Sequence, residues 1–179
     1  MKIRLNKINC FSIIENHLRT LVTYSTGKPS VDDWFTFFIL PIILSGVMFY
    51  INGTTSSNTV NLIITALSIF VGLLINVLVL IFSLIQQETT KEIKIRILKE
   101  TISNISYTII ISIITIIICL LTFINNHFLL VIATLLIYFF VVNFFITLMM
   151  IVKRMYLLFT DQLDQFQKEI TKKKLEDLK

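Results

Sequence analysis

VNLIITALSIFVGLLINVLVLIFSLI, Val60–Ile85, runs for 26 residues without a single Asp, Glu, Lys or Arg. At about 1.5 Å per residue, a helix of that length exceeds the roughly 30 Å hydrocarbon thickness of a bilayer. Many of its residues are β-branched, which in water favours strands. In lipid, however, the backbone must satisfy its own hydrogen bonds. A strand can do so only inside a closed barrel, whose polarity alternates with period two. Val60–Ile85 shows no such alternation. It therefore reads as a membrane-spanning helix.

Three further runs share this character: Trp34–Ile51, Ile105–Ile124 and Phe128–Val152, none of which carries an acidic or basic residue. The expected fold is all-α, a polytopic membrane protein of four spans (34–51, 60–85, 105–124, 128–152) within a transmembrane domain over 34–152. An amphipathic cytoplasmic segment, 1–33, precedes it. A cytoplasmic loop, 86–104, joins spans two and three, and a helical tail, 153–179, continues the fourth. Composition agrees. The 179 residues are 55% hydrophobic and only 15% charged, against about 25% charged in an ordinary soluble domain. Mean hydropathy is +0.84.

Charge placement sets the expected topology. All 16 Lys and Arg fall in the N-terminal segment (Lys2, Arg4, Lys7, Arg19, Lys28), the 86–104 loop (Lys91, Lys94, Arg96, Lys99) or the tail from Lys153 and Arg154 to Lys179. The connections Asn52–Thr59 and Asn125–His127 have none. By the positive-inside rule, both ends and the middle loop are cytoplasmic. Lys91, Lys94, Arg96, Lys153 and Arg154 then lie at the membrane surface. The net charge of +5 follows from this layout, so nucleic acid is not an expected partner. Met1–Thr20 lacks the unbroken apolar stretch of a cleaved signal. The heavy use of Ile, Phe, Asn and Lys suits an AT-rich bacterial genome, and hence an inner-membrane location.

Within the N-terminal segment, Phe11, Ile14, Leu18 and Leu21 recur at helical spacing. Gly27, Lys28, Pro29 and Ser30 are expected to end that helix. Asp32 and Asp33 sit where a first span's positive dipole end favours carboxylates. Pro41, inside the first span, is expected to kink it. From span four outward, Val142, Phe145, Met149, Val152, Tyr156, Phe159, Leu163, Phe166 and Ile170 follow alternating spacings of three and four, a heptad stripe. It continues well past the last residue that lipid requires. One helix of about 45 residues should carry it. Its cytoplasmic half must bury against other copies, a cytosolic partner or the membrane surface, with the 86–104 loop as a second contact for such a partner.

No enzyme motif is present: no GxSxG, HExxH or phosphate-binding glycine loop. Cys10 and Cys119 have neither the spacing of a metal site nor a plausible disulfide. No cofactor, metal or catalytic group is expected. The spans hold no ionisable acid or base, which argues against a proton-coupled transporter. Asn76 and Asn143, each nine residues from a cytoplasmic span end, should lie at similar depth. They are expected to bond to each other within one chain or, alternatively, to ring a pore. Gly46, Ser68 and Gly72 are expected to let helices approach closely, within the chain or between two copies.

The span pattern, together with the segment Leu67-Ser68-Ile69-Phe70-Val71-Gly72-Leu73-Leu74-Ile75-Asn76, resembles small four-span membrane subunits of bacterial anti-phage systems, nearest to the KwaA-like subunit of the Kiwa system. The resemblance implies a homo-oligomer that reports phage attack at the inner membrane to a cytosolic effector. It transfers no functional residue. The expected function is thus a non-enzymatic, self-assembling membrane sensor or anchor. A pore that depolarises the membrane is the alternative, and a small-solute transporter a more distant one.

Overall fold

A computed structural model describes residues 10–20, 34–87, 92–124 and 126–176. Every element among them is a helix. Helix α1 is Phe11–Arg19; a π-helical turn, Phe35–Ile39, leads into α2, Leu40–Asn52; then follow α3, Ser57–Gln87, α4, Glu92–Leu121, and α5, His127–Glu176. Four stretches are long and apolar enough to cross a membrane: Phe35–Asn52, Ser57–Ser83, Ile95–Leu121 and His127–Lys172. Leu21, Gly27–Ser30, Asp32, Asp33 and Lys91 lie outside the described residues.

The local sequence accounts for the helix ends. Asn126 Oδ1 accepts the backbone N–H groups of Phe128 and Leu129 at 3.0 and 3.2 Å, which satisfies two of the four orphan donors at the start of α5. Ser56 Oγ accepts the Thr59 N–H at 3.3 Å at the start of α3. Between α2 and α3 the chain reverses at Gly53, whose φ of 65° suits a residue without a Cβ. That turn is held down by Thr55, which is buried and donates its N–H to Thr134 Oγ1 on α5 at 3.2 Å.

One expected boundary moves. Residues 92–104, read from sequence as loop, are helical and continuous with the third span; their polar side chains lie outside the apolar run but are helix-compatible. The fourth span and the tail form one helix of 50 residues, about 75 Å long.

Packing follows columns of spacing seven. Val60, Leu67, Leu74 and Ile81 are buried apolar residues of α3. Leu98, Ile105, Ser112 and Cys119 form a column on α4, and Ile137, Phe144, Ile151 and Leu158 one on α5. A seven-residue period is the seam of a left-handed helical bundle. The main apolar core draws on all three columns, and Phe70 meets Phe144 edge-on at 5.4 Å. Helix α4 is central. It packs on α5, α3 and α1, while α2 packs on α5.

A second column on α4, Thr101, Thr108 and Thr115, is fully buried. Thr101, Thr108, Ser112 and Thr115 each donate their hydroxyl to the carbonyl four residues earlier, at 2.7–2.8 Å. Self-satisfied in this way, they act as small side chains that let helices approach closely rather than as polar lining. The outer surface, by contrast, carries large apolar groups such as Leu62, Ile69 and Val79. So much contiguous exposed hydrocarbon suits lipid as the surrounding medium.

Candidate functional site

The most polar interior region sits where α1 lies against α4. His17 is the one buried residue of α1. Its Nδ1 is hydrogen-bonded to Asn104 Oδ1 at 2.9 Å. Thr20 Oγ1 reaches the same oxygen at 3.0 Å and the His17 carbonyl at 2.7 Å. The imidazole stacks flat on Tyr107, ring centroids 3.6 Å apart and planes 8° from parallel, and meets the edge of Phe37 at 5.7 Å. Burial pushes the His17 pKa down from 6.5 to about 4; the Asn104 hydrogen bond opposes this and the positive charge of Arg154 adds to it. At neutral pH the ring is therefore uncharged.

The network continues inward. Tyr107 donates its hydroxyl to Asn143 Oδ1 at 3.3 Å, and Asn143 Nδ2 donates to the Phe37 carbonyl at 2.9 Å. The α-helical donor to that carbonyl would be the N–H of residue 41, and proline has none. The backbone is wound as a π-turn just before Pro41, with the Leu40 N–H bonded to the Phe35 carbonyl. Asn143 thus completes a hydrogen bond that the first span's own proline leaves open. Through this hub α1, the π-turn, α4 and α5 are joined.

Above the hub lies a charged cluster. Glu100 accepts from Arg96 Nε at 3.0 Å and from Arg154 Nη2 at 3.2 Å, tying α4 to α5. Arg19 pairs with Glu15 at 2.8 Å along α1. Ser103 Oγ and Asn104 Nδ2 are buried and make no hydrogen bond.

These contacts revise several expectations. Asn143 does not pair with Asn76; it is spent on Tyr107 and Phe37 inside the chain, while Asn76 lies on the exposed face of α3. Gly46, Ser68 and Gly72 do not pack helices within the chain. All three are exposed, and a Cβ at Gly46 or Gly72 would meet nothing within 4 Å. In the α5 stripe Val142 is half-buried, and Phe145, Met149, Val152, Tyr156, Phe159, Leu163, Phe166 and Ile170 are exposed. The stripe faces outward, as the interior is taken by the Ile137–Leu158 column. Of the surface cations, Lys153 is exposed, Arg96 and Arg154 hold Glu100, and the Lys94 side chain lies outside the described set.

Sequence reasoning missed His17, Asn104, Tyr107 and the threonine column. Asn104 stands one residue before the apolar run that begins at Ile105. The recurrence of Thr at 101, 108 and 115 is a period-seven signal visible in the sequence alone. The hub holds no nucleophile with an adjacent base. Among the described residues no group of three His, Cys, Asp or Glu is placed to hold a metal, and Cys10 and Cys119 are free thiols. No family model, curated protein or solved structure matches the chain.

Proposed function

We propose that the protein is a non-enzymatic, multi-pass protein of the bacterial inner membrane, with both ends cytoplasmic, that self-assembles and couples a membrane event to a cytosolic effector, anti-phage defence being the setting its resemblance suggests. The observation that carries this reading is the apolar stripe of α5. Tyr156, Leu163 and Phe166 are 68%, 64% and 62% exposed and belong to a helix that runs to Glu176. Apolar side chains repeating at heptad spacing on a helix in water are stable when another helix covers them. A second copy of the same stripe is self-complementary and needs no further component.

The outer face of α3 supports self-assembly independently. Thr65, Ser68, Gly72 and Asn76 share that exposed face, at spacings of three and four. A carboxamide turned to hydrocarbon is costly unless another polar group meets it, and Ser68-xxx-Gly72 lets a neighbouring helix come close. The same face favours the pore reading in one form: an assembly with α3 innermost would turn Asn76 toward a central axis. Conductance in planar bilayers separates the two.

The test is the mass of the detergent-solubilised full chain by mass photometry. Wild type should exceed one protomer, and Phe159→Asp should shift it toward the monomer. A monomeric wild type, or an unchanged mass in Phe159→Asp and in Asn76→Leu alike, would falsify self-assembly through these faces.

A further inference from the structure

Helices α1 and α4 border an open cavity of about 530 Å³. Its α4 wall carries the stripe Arg96, Lys99, Ser103 and Ser106, at spacings of three, four and three, flanked by Glu100 and Ile102; residues so spaced lie one above another on a helix. Ile13, Asn16 and Thr20 form the facing stripe of α1. We propose that this cavity binds the phosphate headgroup of an anionic phospholipid from the cytoplasmic leaflet.

Three observations converge. The first is graded chemistry. Arg96 and Lys99 lie toward the start of α4, the hydroxyls of Ser103 and Ser106 one to two turns further in, and Ile13 and Ile102 contribute apolar wall. From Lys99 to Ser106 the helix rises about 10 Å, comparable with the thickness of one headgroup layer, roughly 5–7 Å. Cations then stand at phosphate level, with hydroxyl donors at the level of the glycerol esters.

The second is charge. The one carboxylate in the wall, Glu100, is already held by Arg96 and Arg154, and Arg19 at the mouth is paired with Glu15. Lys99 is exposed and has no carboxylate partner among the described residues. Arg19, Arg96, Lys99 and Arg154 thus stand against Glu15 and Glu100, and the cluster carries net positive charge.

The third is the open donor. Thr101, Thr108, Ser112 and Thr115 on the same helix all bond back to their own carbonyls, whereas the buried Ser103 Oγ bonds to nothing. A buried hydroxyl lacking a partner costs free energy, and rotation of the Ser103 side chain toward the cavity would let an ester or phosphate oxygen remove that cost. Basic pockets at the cytoplasmic ends of membrane helices are suited to such headgroups. A free phosphate compound shares the headgroup's charge, and the probes below separate the two.

The inference stands apart from the role of the α5 stripe. It is tested on the full chain in detergent by native mass spectrometry, with phosphatidylglycerol, phosphatidylcholine, inorganic phosphate and ATP as probes. Phosphatidylglycerol should be retained in preference to phosphatidylcholine. Lys99→Gln should cut that retention about fivefold, the factor one basic residue is worth at an anionic surface. Ser103→Ala, which removes the donor without altering the charge, should cut it further, while Lys174→Gln on the tail leaves it unchanged. Circular dichroism confirms that each variant is helical. Equal retention of the two lipids, or undiminished phosphatidylglycerol in the Lys99→Gln/Ser103→Ala double variant, overturns the site. Displacement of the lipid by millimolar ATP or inorganic phosphate assigns the cavity to a soluble phosphate compound and overturns the lipid.

Discussion

Asn143 on α5 donates to the Phe37 carbonyl of the first span at 2.9 Å, in the place of the N–H that Pro41 lacks. A proline that would otherwise leave an orphan carbonyl in an apolar region is tolerated because a residue 106 positions later supplies the donor. The same amide accepts from Tyr107, which is stacked on His17. One side chain therefore links the packing of the first span to that of α1.

Asn143→Leu should lower stability by about 1–3 kcal/mol, because it strands the Phe37 carbonyl and the Tyr107 hydroxyl together. In a Pro41→Ala background residue 41 regains its N–H, so the cost of Asn143→Leu should shrink. Thermal unfolding in detergent of the four proteins in this cycle measures the coupling. The stability of the single chain should change by less than about 0.5 kcal/mol in Asn76→Leu, whose side chain is exposed. A loss there equal to that of Asn143→Leu would reverse the assignment of the two amides.

Docking of α1 should depend on pH. Undocked, His17 takes up a proton below about 6.5; docked, it resists until about 4. The undocked state therefore binds more protons between these values. Docking is at full strength above about pH 6.5 and weakens as pH falls toward 4, by on the order of 3 kcal/mol in all. Hydrogen exchange of the Phe11–Arg19 amides, corrected for its intrinsic pH dependence, should show protection fading over that window. His17→Gln keeps a donor for Asn104 but has no proton to gain, and its protection should stay flat.

Neighbouring positions on α5 should behave in opposite ways. Leu158 is 5% exposed and belongs to the core, whereas Leu163 is 64% exposed. Leu158→Asp places a carboxylate in an apolar contact, a change on the order of several kcal/mol, and should lower the unfolding temperature sharply. Leu163→Asp should leave unfolding unchanged and reduce only the assembled mass. Equal destabilisation by both would mean that the stripe packs within the chain.

The threonine column should tolerate loss of its hydroxyl better than added bulk. Thr108 bonds to its own helix, so Thr108→Val removes no hydrogen bond between helices and should cost less than Thr108→Leu. Thr108→Leu should cost about 1–3 kcal/mol by overpacking a fully buried position. Unfolding temperatures of the two variants make the comparison.

Four helices of bilayer length and the confinement of charge to alternate connections were legible in the sequence, because the number of apolar residues in a row and the position of each Lys or Arg are properties of the chain itself. The direction each helix faces was not. Inside hydrocarbon the buried and the outward faces of a helix are both apolar, so hydropathy carries no signal that tells them apart. Ser68 and Gly72 suggested close packing, yet lie outside; Thr101, Thr108 and Thr115 drew no attention, yet lie within. Tertiary structure alone decided that Asn143 serves Phe37 rather than Asn76, and that His17 meets Asn104 across 87 positions. Such pairs form only after the helices have packed, when the single partner within reach of a buried polar group becomes defined.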